Sequence, residues 1–64
     1  MMNYRIWKTD DERTILVEVF NYCDIHSIQK EFINKNYIVT EYFDARNSFF
    51  IRFYKVEDSP TTES

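Results

Sequence analysis

The chain is expected to fold as an α+β domain with the order β-β-α-β-β, a four-stranded antiparallel sheet carrying one helix on one face. Three observations lead there. Four short segments rich in β-branched and aromatic residues alternate apolar with polar positions, the period of a half-buried strand. They fall into two pairs, each broken by a cluster of turn-forming or charged residues. Between the pairs lies one segment whose apolar residues recur at helical spacing. A helix with a single apolar stripe covers one face of a small sheet, which makes a two-layer domain.

The first pair is Asn3–Lys8 (NYRIWK) and Thr14–Phe20 (TILVEVF), separated by Thr9-Asp10-Asp11-Glu12-Arg13. With Asp10–Arg13 as the loop, Arg5 falls opposite Glu18 and Trp7 opposite Leu16, while Tyr4, Ile6, Ile15, Val17 and Val19 share the other face. The cross-strand ion pair is worth roughly 0.2–1 kcal/mol and supports that register.

Asp24 to Asn36 carries Ile25, Ile28, Phe32 and Ile33 among polar residues, which predicts one helix of about eleven residues. Asp24 is expected to cap its first amides and to suit the positive end of the helix dipole. Asn36 stands where a left-handed residue ends a helix, the available choice in a chain with no Gly.

The second pair lies within Tyr37 to Glu57, broken at Asp44-Ala45-Arg46-Asn47. A four-residue loop there sets Phe43 opposite Ser48. Ile38, Thr40, Tyr42, Phe49, Ile51 and Phe53 then form the core face, and Tyr37, Val39, Glu41, Phe43, Phe50, Arg52 and Tyr54 take the other. A three-residue loop with Asn47 in a bulge would instead bring Glu41 beside Ile51 in the core, burying a carboxylate at a cost of several kcal/mol. The core is expected to centre on Val17, Ile28, Phe32, Ile51 and Phe53. Residues 1–57 make one domain, and the polar stretch 58–64 (DSPTTES), with the only Pro, reads as a flexible tail.

Composition narrows the class. In 64 residues, 44% are hydrophobic and 30% charged, too apolar for disorder, and no run approaches the roughly 20 apolar residues of a spanning helix. Met1–Lys8 lacks the apolar segment of a secretory signal. A single Cys excludes an internal disulfide and fits a reducing compartment, so the expected location is the cytoplasm. The net charge of −3 argues against a general attraction to phosphate backbones.

No cofactor, metal or catalytic signature stands out. Without Gly no phosphate loop is available. Cys23-Asp24-x-His26 places a thiol near a helix start beside an imidazole, the raw material of a nucleophilic pair. The simpler reading makes Cys23 a small buried hydrophobe, Asp24 a cap and His26 a solvated residue. As a metal site the cluster offers at most three ligands. The chain is therefore read as no enzyme.

The informative feature is the sheet face that the single helix leaves uncovered. It is expected to carry Trp7, Leu16, Phe20 and Val39 with Tyr37, Phe43, Phe50 and Tyr54, interspersed with Arg5, Glu18, Glu41 and Arg52. Large exposed apolar patches mark interaction sites, and Trp, Tyr and Arg are enriched among binding hot spots. Two occupants are expected first: a protein partner, or a second copy of the chain. Single-stranded nucleic acid would stack on such aromatics, but the acidic balance and the absence of Gly-containing strand motifs make it the weaker reading. Asp10, Asp11 and Glu12, with Glu41, Glu57 and Asp58, form a second candidate contact, an acidic surface able to occlude a basic groove. Read blandly, they are a solvated turn and tail. In length, charge, lack of Gly and aromatic content the chain resembles the small acidic proteins that phages and other mobile elements make to bind and inhibit host enzymes or defence complexes. That resemblance implies a host protein partner and a host-cell cytoplasm, and assigns no residue a role.

Overall fold

A computed structural model describes residues 3–56, so the expected tail at 58–64 lies outside the described residues. Within them the order is β1 (Tyr4–Lys8), β2 (Thr14–Val19), a 3-10 turn (Tyr22–Asp24), α1 (Ile25–Ile33), β3 (Tyr37–Ala45) and β4 (Ser48–Lys55). All neighbouring strands are antiparallel, in the spatial order β1-β2-β4-β3. The last strand is thus central. The helix carries the chain from β2 across the sheet to its far edge, and a tight hairpin then returns β4 into the gap.

The first hairpin has the expected register, Arg5 opposite Glu18 and Trp7 opposite Leu16. Its turn is organised by side chains rather than by Gly. The Asp11 carboxylate accepts the Arg13 amide and the Thr14 hydroxyl, each at 3.0 Å, and the Thr9 hydroxyl accepts the Asp11 amide at 3.1 Å.

The second hairpin differs in two ways. Its loop is only Arg46-Asn47, with Ala45 opposite Ser48 and Phe43 opposite Phe50, not the expected four residues with Phe43 opposite Ser48. Both loop residues are left-handed, at φ 54° and 66°, the conformation of the mirror-image two-residue turn that matches strand twist. The expected pairing was displaced by two residues. Because the side-chain period is two, Tyr42, Phe49, Ile51 and Phe53 nonetheless face the helix, and Glu41, Phe43, Phe50, Arg52 and Tyr54 face away.

The second difference does change faces. The ladder is irregular between Val39 and Glu41, where Thr40 is an extra residue, and such a bulge reverses the facing of everything before it. Tyr37 and Val39, expected on the open face, pack against the core. Ile38, expected in the core, pairs with Tyr54 and is 48% exposed.

The core is Ile15, Val17, Val19, Ile28, Phe32, Ile51 and Phe53, which includes all five residues expected at its centre. Phe32 is its keystone. Its ring stacks on Phe53 at 4.8 Å and meets Tyr4 and Tyr37 edge-on at 5.5 and 5.6 Å, geometries that add to plain area burial. The Tyr42 hydroxyl donates to Gln29 Oε1 at 2.8 Å, tying helix to sheet.

Asn36 is left-handed as expected, φ 73°, but it does not cap the helix, which ends at Ile33 with Asn34 as its cap and leaves Asn36 in the turn that follows. At the other end the expectation fails: Asp24 has helical dihedrals and makes no side-chain capping bond. The 3-10 turn extends the helical segment backwards, and Asn21 caps it, its side chain accepting from the Cys23 amide at 3.0 Å. Cys23 is exposed rather than buried.

Candidate functional site: the open face of the sheet

Strand alternation turns two full rows of side chains away from the helix. One runs Arg5, Glu18, Phe50, Phe43 across the four strands, the other Trp7, Leu16, Arg52, Glu41. A shorter third row holds Thr14, Tyr54 and Ile38. Among the described residues no helix lies over these rows, since Ile28 and Phe32 bury α1 on the opposite side.

The rows pack sideways against one another. Phe43 and Phe50 lie parallel within 5° at 5.2 Å. The Arg5 guanidinium sits 5.4 Å over the Trp7 ring, a cation–π contact. Arg52 pairs with Glu41 directly across β3 and β4. Glu18 is the hub. One of its oxygens accepts the Trp7 indole N–H at 3.0 Å and the other the Ser48 hydroxyl at 2.7 Å. Those bonds, Ser48 first and then Trp7, together with the Arg5 charge, hold its carboxyl below the ordinary glutamate value. Trp7 is therefore fixed in orientation while remaining 44% exposed.

Between the Trp7 edge and the second hairpin runs a groove of about 550 Å³. Trp7, Leu16, Phe43 and Phe50 form its floor, and Arg5, Lys8 and Arg46 stand around it. That volume falls in the range of roughly 300–1,000 Å³ typical of ligand-binding clefts.

The expected contact residues therefore divide. Arg5, Trp7, Leu16, Glu41, Phe43, Phe50, Arg52 and Tyr54 share the open face. Tyr37 does not, for the bulge turns it to the core, where Lys55 Nζ lies 5.1 Å over its ring. Phe20 lies past the end of β2, outside the ladder, and is 56% exposed. Lys8 and Arg46 line the groove although neither stood out in the sequence, where one ended a strand and the other sat inside a loop.

The acidic turn is separate from this surface. Asp10 and Glu12 are exposed, but Asp11 is occupied in building the turn. Its bonds from the Arg13 amide and the Thr14 hydroxyl hold its carboxyl below the usual aspartate value. Of the other members of the expected acidic surface, Glu41 is paired with Arg52 on the open face, and Glu57 and Asp58 lie outside the described residues. On the helix side, the Tyr22 hydroxyl donates to Asp44 at 3.2 Å, and that bond together with the Asp44 charge raises the phenol above its ordinary value. No group of three or more His, Cys, Asp or Glu side chains is placed to hold a metal among the described residues. No helix there is long and apolar enough to cross a membrane. Comparison of the chain with protein families, with curated proteins and with solved structures finds no match.

Proposed function

We propose that this chain is a non-enzymatic binding module that occupies a surface of a protein partner through the open face of its sheet. The observation that supports the reading is the apolar surface of Trp7, Leu16, Phe43 and Phe50, half-buried at the last three and exposed at Trp7, which Glu18 holds in place, with no helix of the described residues over it. A bracing network that orients an exposed Trp lowers the entropy lost on binding. For a chain made by a phage or other mobile element, the partner is a host enzyme or defence complex and the effect is inhibition by occupancy.

The test is affinity purification of the partner from the native cell with mass measurement of the complex, followed by equilibrium binding of variants. Trp7→Ala, Phe50→Ala and Arg52→Glu should each weaken binding by about 2 kcal/mol or more. Reversal of Asp10 and Glu12 to Lys, leaving Asp11 to hold the turn, should leave binding nearly unchanged. The opposite pattern would move the contact to the acidic turn. Cys23→Ser and His26→Ala should also bind normally, and loss of activity in either folded variant would revive a catalytic reading.

A second reading is a self-associating structural or regulatory module. It draws on the two outer strands, β1 and β3, each of which leaves one backbone edge unpaired among the described residues. Sedimentation equilibrium of the purified chain decides it, a dimer mass favouring pairing between copies.

A further inference from the structure

The charge around the groove is opposite in sign to the charge of the chain. The groove is lined by three cations, Arg5, Lys8 and Arg46, and one carboxylate, Glu18, a net of +2 in a chain of net −3. The carboxylate is already satisfied by Trp7 and Ser48. Lys8 and Arg46 make no ion pair among the described residues. On the same face Arg52 and Glu41 neutralise each other, so the excess positive charge belongs to the groove.

Arg46 bears separately on the point. It sits at the first position of a two-residue turn with φ 54°, where Asn, Asp or Gly is the favoured residue. An Arg there is disfavoured for the turn itself, and its contribution is a cation at the mouth of the groove. Local conflict between residue and backbone is the pattern expected where function overrides folding preference.

We infer that the groove receives an acidic peptide segment bearing a large apolar side chain, the side chain seated on Trp7, Leu16 and Phe50 and its flanking carboxylates met by Arg5, Lys8 and Arg46. The inference rests on the open face being the protein-binding surface and adds the chemistry of the partner. Guanidinium groups suit carboxylates because their paired donors match the two oxygens. Single-stranded nucleic acid, the other polyanion, fits less well. One face of the Trp7 ring is under Arg5, and Phe43 and Phe50 turn their faces to each other, which leaves ring edges and the Leu16 side chain for an apolar group to pack against rather than ring faces for bases. Base stacking needs free ring faces.

Trp7 is the only tryptophan, so its emission reports on the groove directly. The experiment presents the full chain to a library of random twelve-residue peptides, then measures synthetic copies of the enriched sequences by Trp7 emission. The expected result is enrichment of Asp or Glu flanking an aromatic or aliphatic residue. Changing those acids to Asn and Gln should weaken binding about tenfold, as should Lys8→Gln with Arg46→Gln in the chain, because close charge pairs at interfaces carry coupling of that order or more. Enriched peptides without acidic residues, lost on Trp7→Ala, would overturn the inference and leave the face as the binding surface. Peptides that bind Trp7→Ala and Phe50→Ala as well as the parent would overturn the face itself. Absence of any enrichment, or a labelled twelve-residue oligo-dT that displaces the peptides and binds more tightly, would also overturn the inference.

Discussion

Replacing Phe32 by Ala should come close to unfolding the domain, and the structure supplies the reasons. Phe32 is 4% exposed, and its ring is held between Phe53, Tyr4 and Tyr37. Those neighbours are themselves anchored in three different strands, so they cannot close together into the space a deleted ring leaves. Loss of a buried Phe of this kind costs roughly 3–5 kcal/mol. A chain of 64 residues, at about 0.05–0.15 kcal/mol per residue, holds roughly 3–10 kcal/mol in all. For so small a domain each kcal/mol moves the melting temperature by about 4–8 °C, so the drop should be at least about 12 °C. The control is Ile33→Ala, one position on and 48% exposed, which should stay within about 0.5 kcal/mol. Thermal unfolding followed by circular dichroism reads both. If Phe32→Ala melts within two or three degrees of the parent, or Ile33→Ala falls as far, the helix does not pack on the sheet through Ile28 and Phe32.

Three further outcomes follow from particular residues. Deleting Thr40 should leave a regular ladder with Val39 opposite Phe53 and Glu41 opposite Arg52 unchanged. The cost should be about 0.5–1.5 kcal/mol for the bond its hydroxyl donates to the Arg52 carbonyl; failure of the shortened chain to fold would show that the bulge is not a simple insertion. Arg46→Gly should raise stability by up to about 1 kcal/mol by suiting the left-handed turn, while weakening binding of an acidic peptide, and a fall in melting temperature would refute the strain argument. Glu18 has a folded value below its ordinary 4.5, so the stability it confers is present above that pH and is lost as pH falls through the lower folded value. Between about pH 5 and pH 3 the parent should therefore lose more melting temperature than Glu18→Gln, and equal losses would remove Glu18 as a stabilising hub.

Much of the architecture was legible along the chain because it depends on local period. Alternation located the four strands, the spacing of Ile25, Ile28 and Phe32 located the helix, and the acidic cluster between Lys8 and Thr14 set the first register. Trp7, Leu16, Phe43, Phe50 and Arg52 could be assigned to one face because side-chain facing survives any even displacement of the pairing, including the two-residue displacement at Arg46-Asn47. Asn36 could be read as left-handed because, with Gly absent, few other residues tolerate that conformation, although the helix itself stops at Ile33 and Asn34 caps it.

What local pattern could not supply came from contacts between distant segments. The bulge at Thr40 has no signature of its own, and it alone decided that Tyr37 and Val39 serve the core while Ile38 faces out. Strand order is set by how the helix crosses the sheet, a long-range property that alternation does not encode. Only the adjacency of β2 and β4 brings Ser48 to Glu18, thirty residues away, and only the assembled sheet gathers Lys8 from the end of one strand and Arg46 from a turn around a single groove. Sequence alone placed an apolar set of side chains on the face turned away from the single helix; tertiary structure decided that this face carries a positively charged cleft, because charge at a surface sums over neighbours in space rather than along the chain.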